Sequence, residues 1–141
     1  KLGVSDVKNV SEVDADTLSG YDNLLLGTST WGAGELQDDW YDGVDALKSA
    51  DLSGKTIALF GCGDAEGYSD TFCGGMSEIY KTVKDSGAKL IGQVPADSYT
   101  YDDSESVVDG KFVGLAIDVS ESEEETEKRI DDWIDVIRPE L

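Results

Sequence analysis

The sequence of 141 residues contains no histidine, and this absence removes several classes of function at once. Without imidazole there is no histidine general base, no histidine-dependent nucleophile triad and little basis for a zinc or copper site. The two cysteines, Cys62 and Cys73, are too few for a disulfide scaffold or a tetrahedral thiolate site. We interpret both as reduced thiols of a cytoplasmic protein. No apolar run reaches the length of a membrane span, and no signal-peptide pattern opens the sequence.

Basic residues are also scarce. The chain has 11 Lys and Arg against 31 Asp and Glu, which gives a formal net charge of −20. Nucleic acids and anionic membranes are bound through basic side chains, so neither is an expected partner. A partner with a basic docking surface fits this charge, and salt would weaken the attraction. General solubility and adaptation to a salty cytoplasm explain the same composition, and both readings stay open.

The length and the apolar pattern predict one α/β domain with a parallel sheet. Short apolar runs that suit strands buried on both faces alternate with segments of helical period. The predicted strands are 24–26, 56–60, 88–92 and 113–117, with a weaker edge strand at 4–10.

Three segments predict amphipathic helices, because apolar residues recur at helical spacing. The first carries Leu36, Trp40, Val44 and Leu47 on one face. The second carries Phe72, Met76, Ile79, Tyr80 and Val83, behind a possible cap at Asp70. The third carries Ile130, Trp133, Ile134 and Ile137, and Ser122 with Glu125 forms a capping box at its start.

Residues 95–112 follow neither period and predict a long loop, which is uncommon inside a compact domain. Two explanations remain open for it. It serves partner docking, or it packs against the edge of the sheet.

Two glycine-containing loops leave the carboxyl ends of predicted strands, where open parallel sheets bind ligands. One runs over 27–36 and the other over 61–68, and each contains one large aromatic residue, Trp31 or Tyr68. Aromatic side chains on adjacent strand ends can sandwich a flat ring system. The second loop is not a dinucleotide fingerprint, because its glycines are spaced G-x-G-x-x-x-G and Asp64 would repel a pyrophosphate.

These loops resemble the two flavin-binding loops of long-chain flavodoxins. The first matching segment is Thr30-Trp31-x-x-Gly34-Glu35-Leu36-Gln37-x-Asp39-Trp40, and the second is Phe60-Gly61-Cys62-Gly63-Asp64-x-x-Gly67-Tyr68-x-x-x-Phe72-Cys73. The run 109–118 is similar to the return from the long loop that splits the fifth strand of that family. The final match is Arg129-Ile130-x-x-Trp133 in the last helix.

The resemblance implies a flavodoxin-like, doubly wound α/β fold with a five-stranded parallel sheet in the order 2-1-3-4-5. It implies a low-potential one-electron carrier that binds flavin mononucleotide (FMN) non-covalently, with no catalytic residues and no metal. The partners would be flavodoxin reductase and electron-accepting enzymes, and the protein would be a monomer. In this reading Trp31 and Tyr68 cover the two flavin faces, and Asp64 accepts from the N–H groups of the pyrimidine edge. The cofactor-binding residues would be Ser29, Thr30, Trp31, Gly32, Ala33, Gly34, Cys62, Gly63, Asp64, Tyr68, Phe72 and Cys73.

One departure from the family concerns the start of the sequence. The family's first strand, its phosphate-binding loop and its first helix have no counterpart before Lys1-Leu2-Gly3. The absent strand would lie between the strand near 4–10 and the one at 24–26, and a parallel sheet cannot leave such a position empty. We therefore expect a single domain over 1–141 that is incomplete at its N-terminus.

Two alternatives belong to other functional classes. An FMN-dependent NAD(P)H:quinone oxidoreductase would oxidise NADH or NADPH without a partner reductase. A flavin-free acidic interaction module would be colourless and would not take up FMN.

Overall fold

The computed structural model describes residues 7–31, 35–36, 38–64, 67, 71–99, 101 and 103–140. A parallel sheet forms the centre of this part of the chain. Strand β1 (Asn23–Trp31) runs parallel to β3 (Thr56–Gly63). The first half of β3 pairs with β4 (Lys89–Ile91), and its second half pairs with β8 (Leu115–Asp118), both in parallel. A two-residue strand, β2 (Glu35–Leu36), returns antiparallel to the end of β1. The flavodoxin-like α/β class predicted from the sequence is confirmed.

Helices cover both faces of the sheet because successive residues of β3 point to opposite sides. Ile57 and Leu59 pack in a core that includes side chains from α2 (Trp40–Ser49) and α3 (Gly75–Val83). Ala58 packs in the opposite core with Trp133 and Ile137 of α4 (Glu123–Ile137). A short helix, α1 (Ala15–Ser19), precedes β1, with Asp14 as its N-cap.

The described residues of 94–113 form a second, small sheet that packs on the main core, and we call this segment the insertion. It contains three antiparallel two-residue strands: β5 (Val94–Pro95), β6 (Val107–Val108) and β7 (Lys111–Phe112). A 3-10 turn at Ala96–Ser98 follows β5. The prediction of a loop without regular structure was therefore wrong in part. Strands this short leave no alternation to read, since neighbours in space rather than local pattern decide them.

Two helix starts were also predicted wrongly. Leu36 lies in β2, and α2 begins four residues later at Trp40. Helix α3 begins at Gly75, so Phe72 precedes the helix, and the expected cap Asp70 lies outside the described residues. The edge strand expected at 4–10 is not formed by its described part, because residues 7–9 are irregular and a 3-10 turn begins at Val10. Helix α4 is confirmed with its cap, since Ser122 Oγ accepts from the Glu125 amide at 3.3 Å.

No helix within the described ranges is both long enough and apolar enough to cross a membrane.

Candidate functional site

The carboxyl ends of three parallel strands meet at one edge of the sheet. Ser29 of β1 lies beside Cys62 of β3, and Gly63 lies beside Asp118 of β8. The amide of Val119, just after β8, donates to the Gly63 carbonyl at 2.8 Å. The two glycine-containing loops predicted from the sequence therefore start next to each other, at the edge where parallel sheets bind ligands.

The first loop also organises the helix that follows the second. The amide of Gly75, the first residue of α3, donates to Thr30 Oγ1 at 3.2 Å. The N-cap of this helix is Gly74, which has no side chain to accept that bond. Thr30 of β1 supplies the acceptor instead, so this hydrogen bond joins the C-terminal end of β1 to the N-terminus of α3.

Gly63 is required by close approach of the backbone. A Cβ atom at this position would lie 2.7 Å from the amide nitrogen of Cys73 and 3.0 Å from its Sγ. The end of β3 therefore touches the residue that closes the second loop. Asp64 continues this closure, because its Oδ1 accepts from the Gly67 amide at 3.0 Å. A carboxylate that the sequence suggested for a flavin edge thus also has a role in shaping its own loop.

Phe72 and Cys73 are placed in the core rather than on the exposed edge. Both side chains are buried, and the thiol of Cys73 lies 3.9 Å from the carbonyl oxygens of Gly61 and Ile117. Cys73 also has a left-handed backbone, with φ of 52°, which is uncommon for a residue with a side chain. The sequence predicted both as cofactor-binding. In the fold, both side chains pack in the core, and Cys73 lies against Gly63 at the end of β3.

The remaining predicted contacts lie partly outside the description. The side chain of Trp31 and all of Gly32, Ala33, Gly34 and Tyr68 fall outside the described residues. The predicted aromatic sandwich therefore remains a prediction. Among the described residues, Ser29 is exposed, and Thr30, Cys62 and Asp64 are half-buried.

The electrostatics of this edge favour neutral thiols. Burial raises the pKa of the Cys62 thiol, and burial raises that of Cys73 further. Neither cysteine is a thiolate near neutral pH, so neither has the reactivity of a catalytic nucleophile. The sequence of the two loops contains no Lys or Arg from residue 27 to 36 or from 61 to 73. A ligand phosphate would therefore need backbone N–H groups or residues from elsewhere.

A groove of about 800 Å³ runs along the outer edge of β1. All of residues 23–29 line it, on both faces of the strand, so the groove follows the backbone edge itself. Val10, Val13, Trp40 and Leu47 supply apolar walls. Within the described residues, no strand pairs with this edge at 23–29. The indole of Trp40 donates to the Gly27 carbonyl at 2.9 Å and occupies one acceptor there.

Sequence reasoning missed the residues that hold the second loop from outside. Ser104 and Ser106 are buried and donate to the backbone carbonyls of Phe72 and Cys73. Sequence reasoning also missed Asp118, a buried residue at the end of β8, whose carboxylate shapes the following turn by accepting from the amide and the hydroxyl of Ser120 at 3.0 and 2.6 Å. Nothing in the local pattern marks these roles. The one available signal was that serines recur at alternate positions in a segment without helical or strand period.

Comparison with known proteins places this arrangement in a family. The sequence model of the flavodoxin family matches residues 1–133. Flavodoxin 1 of Azotobacter vinelandii is 45% identical over 140 residues, which cover 96% of this chain and 80% of that protein. The flavodoxin of Picosynechococcus is 43% identical and is covered to 83%. The crystal structure of Fusobacterium nucleatum flavodoxin bound to FMN superposes with a TM-score of 0.88 at 34% identity, over 95% of this chain and 80% of that one.

Proposed function

This chain belongs to the flavodoxin family, and on that premise we propose that it carries single electrons at low potential on FMN held at the ends of β1 and β3. It is an FMN-binding electron carrier, as its family and the FMN-bound relative indicate. Flavodoxins transfer electrons between other proteins and have no substrate chemistry of their own. The observation that carries the proposal is the side-by-side placement of Ser29 and Cys62, with Gly63 closed against Cys73.

The residues at this edge suit the ring half of FMN. The strand ends offer backbone groups and small side chains, and Gly63 lets the backbone at the end of β3 pack directly against Cys73. We assign the backbone of Ser29, Thr30, Cys62, Gly63 and Asp64 to the ring edges. We assign Trp31 and Tyr68 to its faces, and we include Gly32, Ala33 and Gly34 among the residues that bind the cofactor. Phe72 and Cys73 act from beneath, by fixing the loop.

Bound FMN supplies two successive one-electron steps. The contribution of the chain is to bind the ring, orient it and limit the access of water. The many carboxylates disfavour the gain of negative charge nearby, so they lower the reduction potential and make the reduced carrier a strong donor.

The partners we propose are redox proteins with basic docking surfaces, such as flavodoxin reductase and electron-accepting enzymes. The net charge of −20 supports this, since it steers an encounter with an oppositely charged surface. We propose that the protein acts as a monomer in the cytoplasm. The two unpaired cysteines are consistent with a reducing compartment.

We also propose that the chain is of the long-chain type and that a further strand and helix complete it along β1. The insertion at 94–113 supports the long-chain type. It lies in the chain between β4 and β8, which both pair with β3, and this matches the long loop that splits the fifth strand of that family. The groove along 23–29 supports the second point, because its walls are apolar and the strand edge offers backbone groups for pairing. Intact-mass measurement of the folded, yellow protein tests the second point. A mass of 15.1 kDa would overturn it.

Addition of FMN to the purified protein, followed by absorption spectroscopy, tests the function. We expect a shift of the flavin bands on binding and two separable one-electron steps during reductive titration. A matched assay with NADPH alone distinguishes the carrier from a reductase. Steady oxidation of NADPH without a second protein would contradict the carrier function.

A further inference from the structure

The insertion is bonded directly to the residues that end the second loop. The amide of Phe72 donates to the Asp103 carbonyl at 3.2 Å. The hydroxyl of Ser104 donates to the Phe72 carbonyl, and that of Ser106 donates to the Cys73 carbonyl at 2.6 Å. Both backbone groups of Phe72 and the carbonyl of Cys73 are thus satisfied by one short stretch of the insertion. Ser106 is 0% exposed, so its bond is shielded from competing water.

The aromatic ring of Phe72 is enclosed by the same unit. It stacks on Tyr101 at 5.7 Å between ring centroids and meets Phe112 edge-on at 5.7 Å. Tyr99 lies 5.9 Å away and completes the cluster. Aromatic contacts of this kind stabilise beyond the area they bury, so the position of Phe72 is fixed by its ring as well as by its backbone.

The insertion is in turn fastened to the main sheet and to α4. The hydroxyl of Tyr99 donates to the Ala116 carbonyl of β8 at 2.6 Å. The guanidinium of Arg129 lies 3.7 Å from the centre of the Tyr99 ring. Arg129 also donates twice to the carboxylate of Glu121, at 2.7 and 2.9 Å. A cation over an aromatic ring and a bidentate ion pair are both specific in geometry. The insertion is therefore held at a defined place.

A displacement of Phe72 and Cys73 would also displace Gly63, at the end of β3 in the candidate site. Gly63 packs so closely on Cys73 that even a methyl group would not fit between them. Cys73 also holds a strained left-handed backbone, which persists only where surrounding contacts enforce it. The hydrogen bond from Ser106 to the Cys73 carbonyl is one of those contacts.

We propose that the insertion is a positioning clamp for the second flavin loop, and that Ser104 and Ser106 are its positioning residues. They hold Phe72 and Cys73 in place, and through the close contact of Cys73 with Gly63 they hold the end of β3 where the flavin ring would bind. The expected effect on flavin binding rests on the function proposed above. The expected effect on the second loop in the flavin-free protein does not depend on that function.

The test compares Ser106→Ala with a matched control, Ser86→Ala. Ser86 lies beyond the far end of α3, and its hydroxyl donates to the Val83 carbonyl at 2.6 Å, the same distance as at Ser106. Ser106→Ala removes a fully buried hydroxyl, and Ser86→Ala removes a half-buried one that also accepts from the Ala88 amide at 3.4 Å. We expect both variants to lose thermal stability. Only Ser106→Ala should weaken FMN binding, by about tenfold, since one buried hydrogen bond has about this effect. It should also change the visible circular dichroism of bound FMN. Ser104→Ala should act in the same direction.

If Ser106→Ala and Ser86→Ala bind FMN equally well with unchanged dichroism, the clamp is contradicted as a device for flavin binding. A second measurement uses the flavin-free protein. Hydrogen exchange of peptides covering 63–73 should be faster in Ser106→Ala by about tenfold and unchanged in Ser86→Ala. Equal exchange in both variants would overturn the clamp altogether. If neither the complete protein, with the further strand and helix proposed above, nor its Ser86→Ala variant binds FMN, the proposed function fails. The exchange data still decide whether the insertion positions the loop.

Discussion

The two sides of the ligand-binding edge are built very differently. On the side of β3, β8 and α3, backbone groups around the second loop are bonded to the insertion, and side chains pack without room for a methyl at Gly63. On the outer side of β1, an apolar groove runs along seven consecutive residues, 23–29. The first side is organised by contacts within the described chain. The second has backbone groups and apolar walls available for additional structure. The ring-binding half of the proposed site lies mainly on the first side, and it shares Ser29 with the groove.

The largest expected effect is the difference in stability loss between two substitutions, one on each side of the edge. Phe72→Ala removes a fully buried ring from the aromatic cluster and should lower the free energy of unfolding by about 3–5 kcal/mol. Val10→Ala, on the groove wall, removes two methyl groups from a half-buried side chain and should cost about 1 kcal/mol. Urea unfolding curves measure both. Equal losses would contradict the difference in packing.

A second comparison tests close approach at the end of β3. Gly63→Ala places a methyl 2.7 Å from a backbone nitrogen, which should cost about 1–3 kcal/mol and displace the second loop. Gly20→Ala is the control, because its methyl would lie 3.5 Å from the nearest atom at an ordinary backbone angle. The control should stay within about 0.5 kcal/mol of the unaltered chain. Stability of Gly63→Ala equal to that of the control would show that the end of β3 is not tightly held.

The hydrogen bond between Thr30 of β1 and Gly75 of α3 predicts a smaller effect. Thr30→Val keeps the shape of the side chain but removes the acceptor for the Gly75 amide, and should cost about 0.5–2 kcal/mol, as other lost helix caps do. Thr82→Val is the control. Its hydroxyl donates to the Glu78 carbonyl at 2.9 Å, within one turn of the same helix. Thermal unfolding compares the two, and a larger loss at Thr82 would refute the tie between β1 and α3.

The last expected effect concerns the contact of Tyr99 with the main sheet, and it develops only at high pH. Burial raises the pKa of Tyr99 to about 12, from 10.0 for an ordinary tyrosine. A raised pKa in the folded state stabilises the fold below pH 10.0, and this contribution is lost as the pH rises toward 12. The free energy of unfolding should therefore fall more steeply over this interval in the unaltered chain than in Tyr99→Phe. Identical slopes would mean that Tyr99 is not held as described.

The sequence was sufficient for the four parallel strands of the main sheet and for α4, because the residues of these elements carry local signals. The run from Thr56 to Phe60 is apolar enough to specify burial on both faces, and Ser122 and Glu125 mark the start of α4. The starts of α2 and α3 were less predictable. Leu36 has helical spacing with Trp40 but pairs with β1, and the cap of α3 comes from Thr30 rather than from a neighbouring residue. Tertiary contacts overrode the local pattern in both cases.

The candidate site was predictable where it depends on chain topology. Parallel strands bring Ser29 and Cys62 together, and glycine at 63 signals close approach. The roles of Ser104 and Ser106 depend on a fold in which the insertion returns to Phe72, some thirty residues earlier in the sequence. No spacing rule connects such residues. For this reason the sequence of 95–112 alone leaves open whether the segment docks a partner or packs against the sheet.

The most direct measurement of the central claim is amide chemical-shift mapping during titration of the isotope-labelled protein with FMN. The largest changes should fall on Thr30, Cys62, Gly63 and Asp64, at the meeting strand ends. Amides that line the groove near the start of β1, at 23–25, should change less. Changes concentrated along the groove, with the ends of β1 and β3 unaffected, would contradict the placement of the flavin ring.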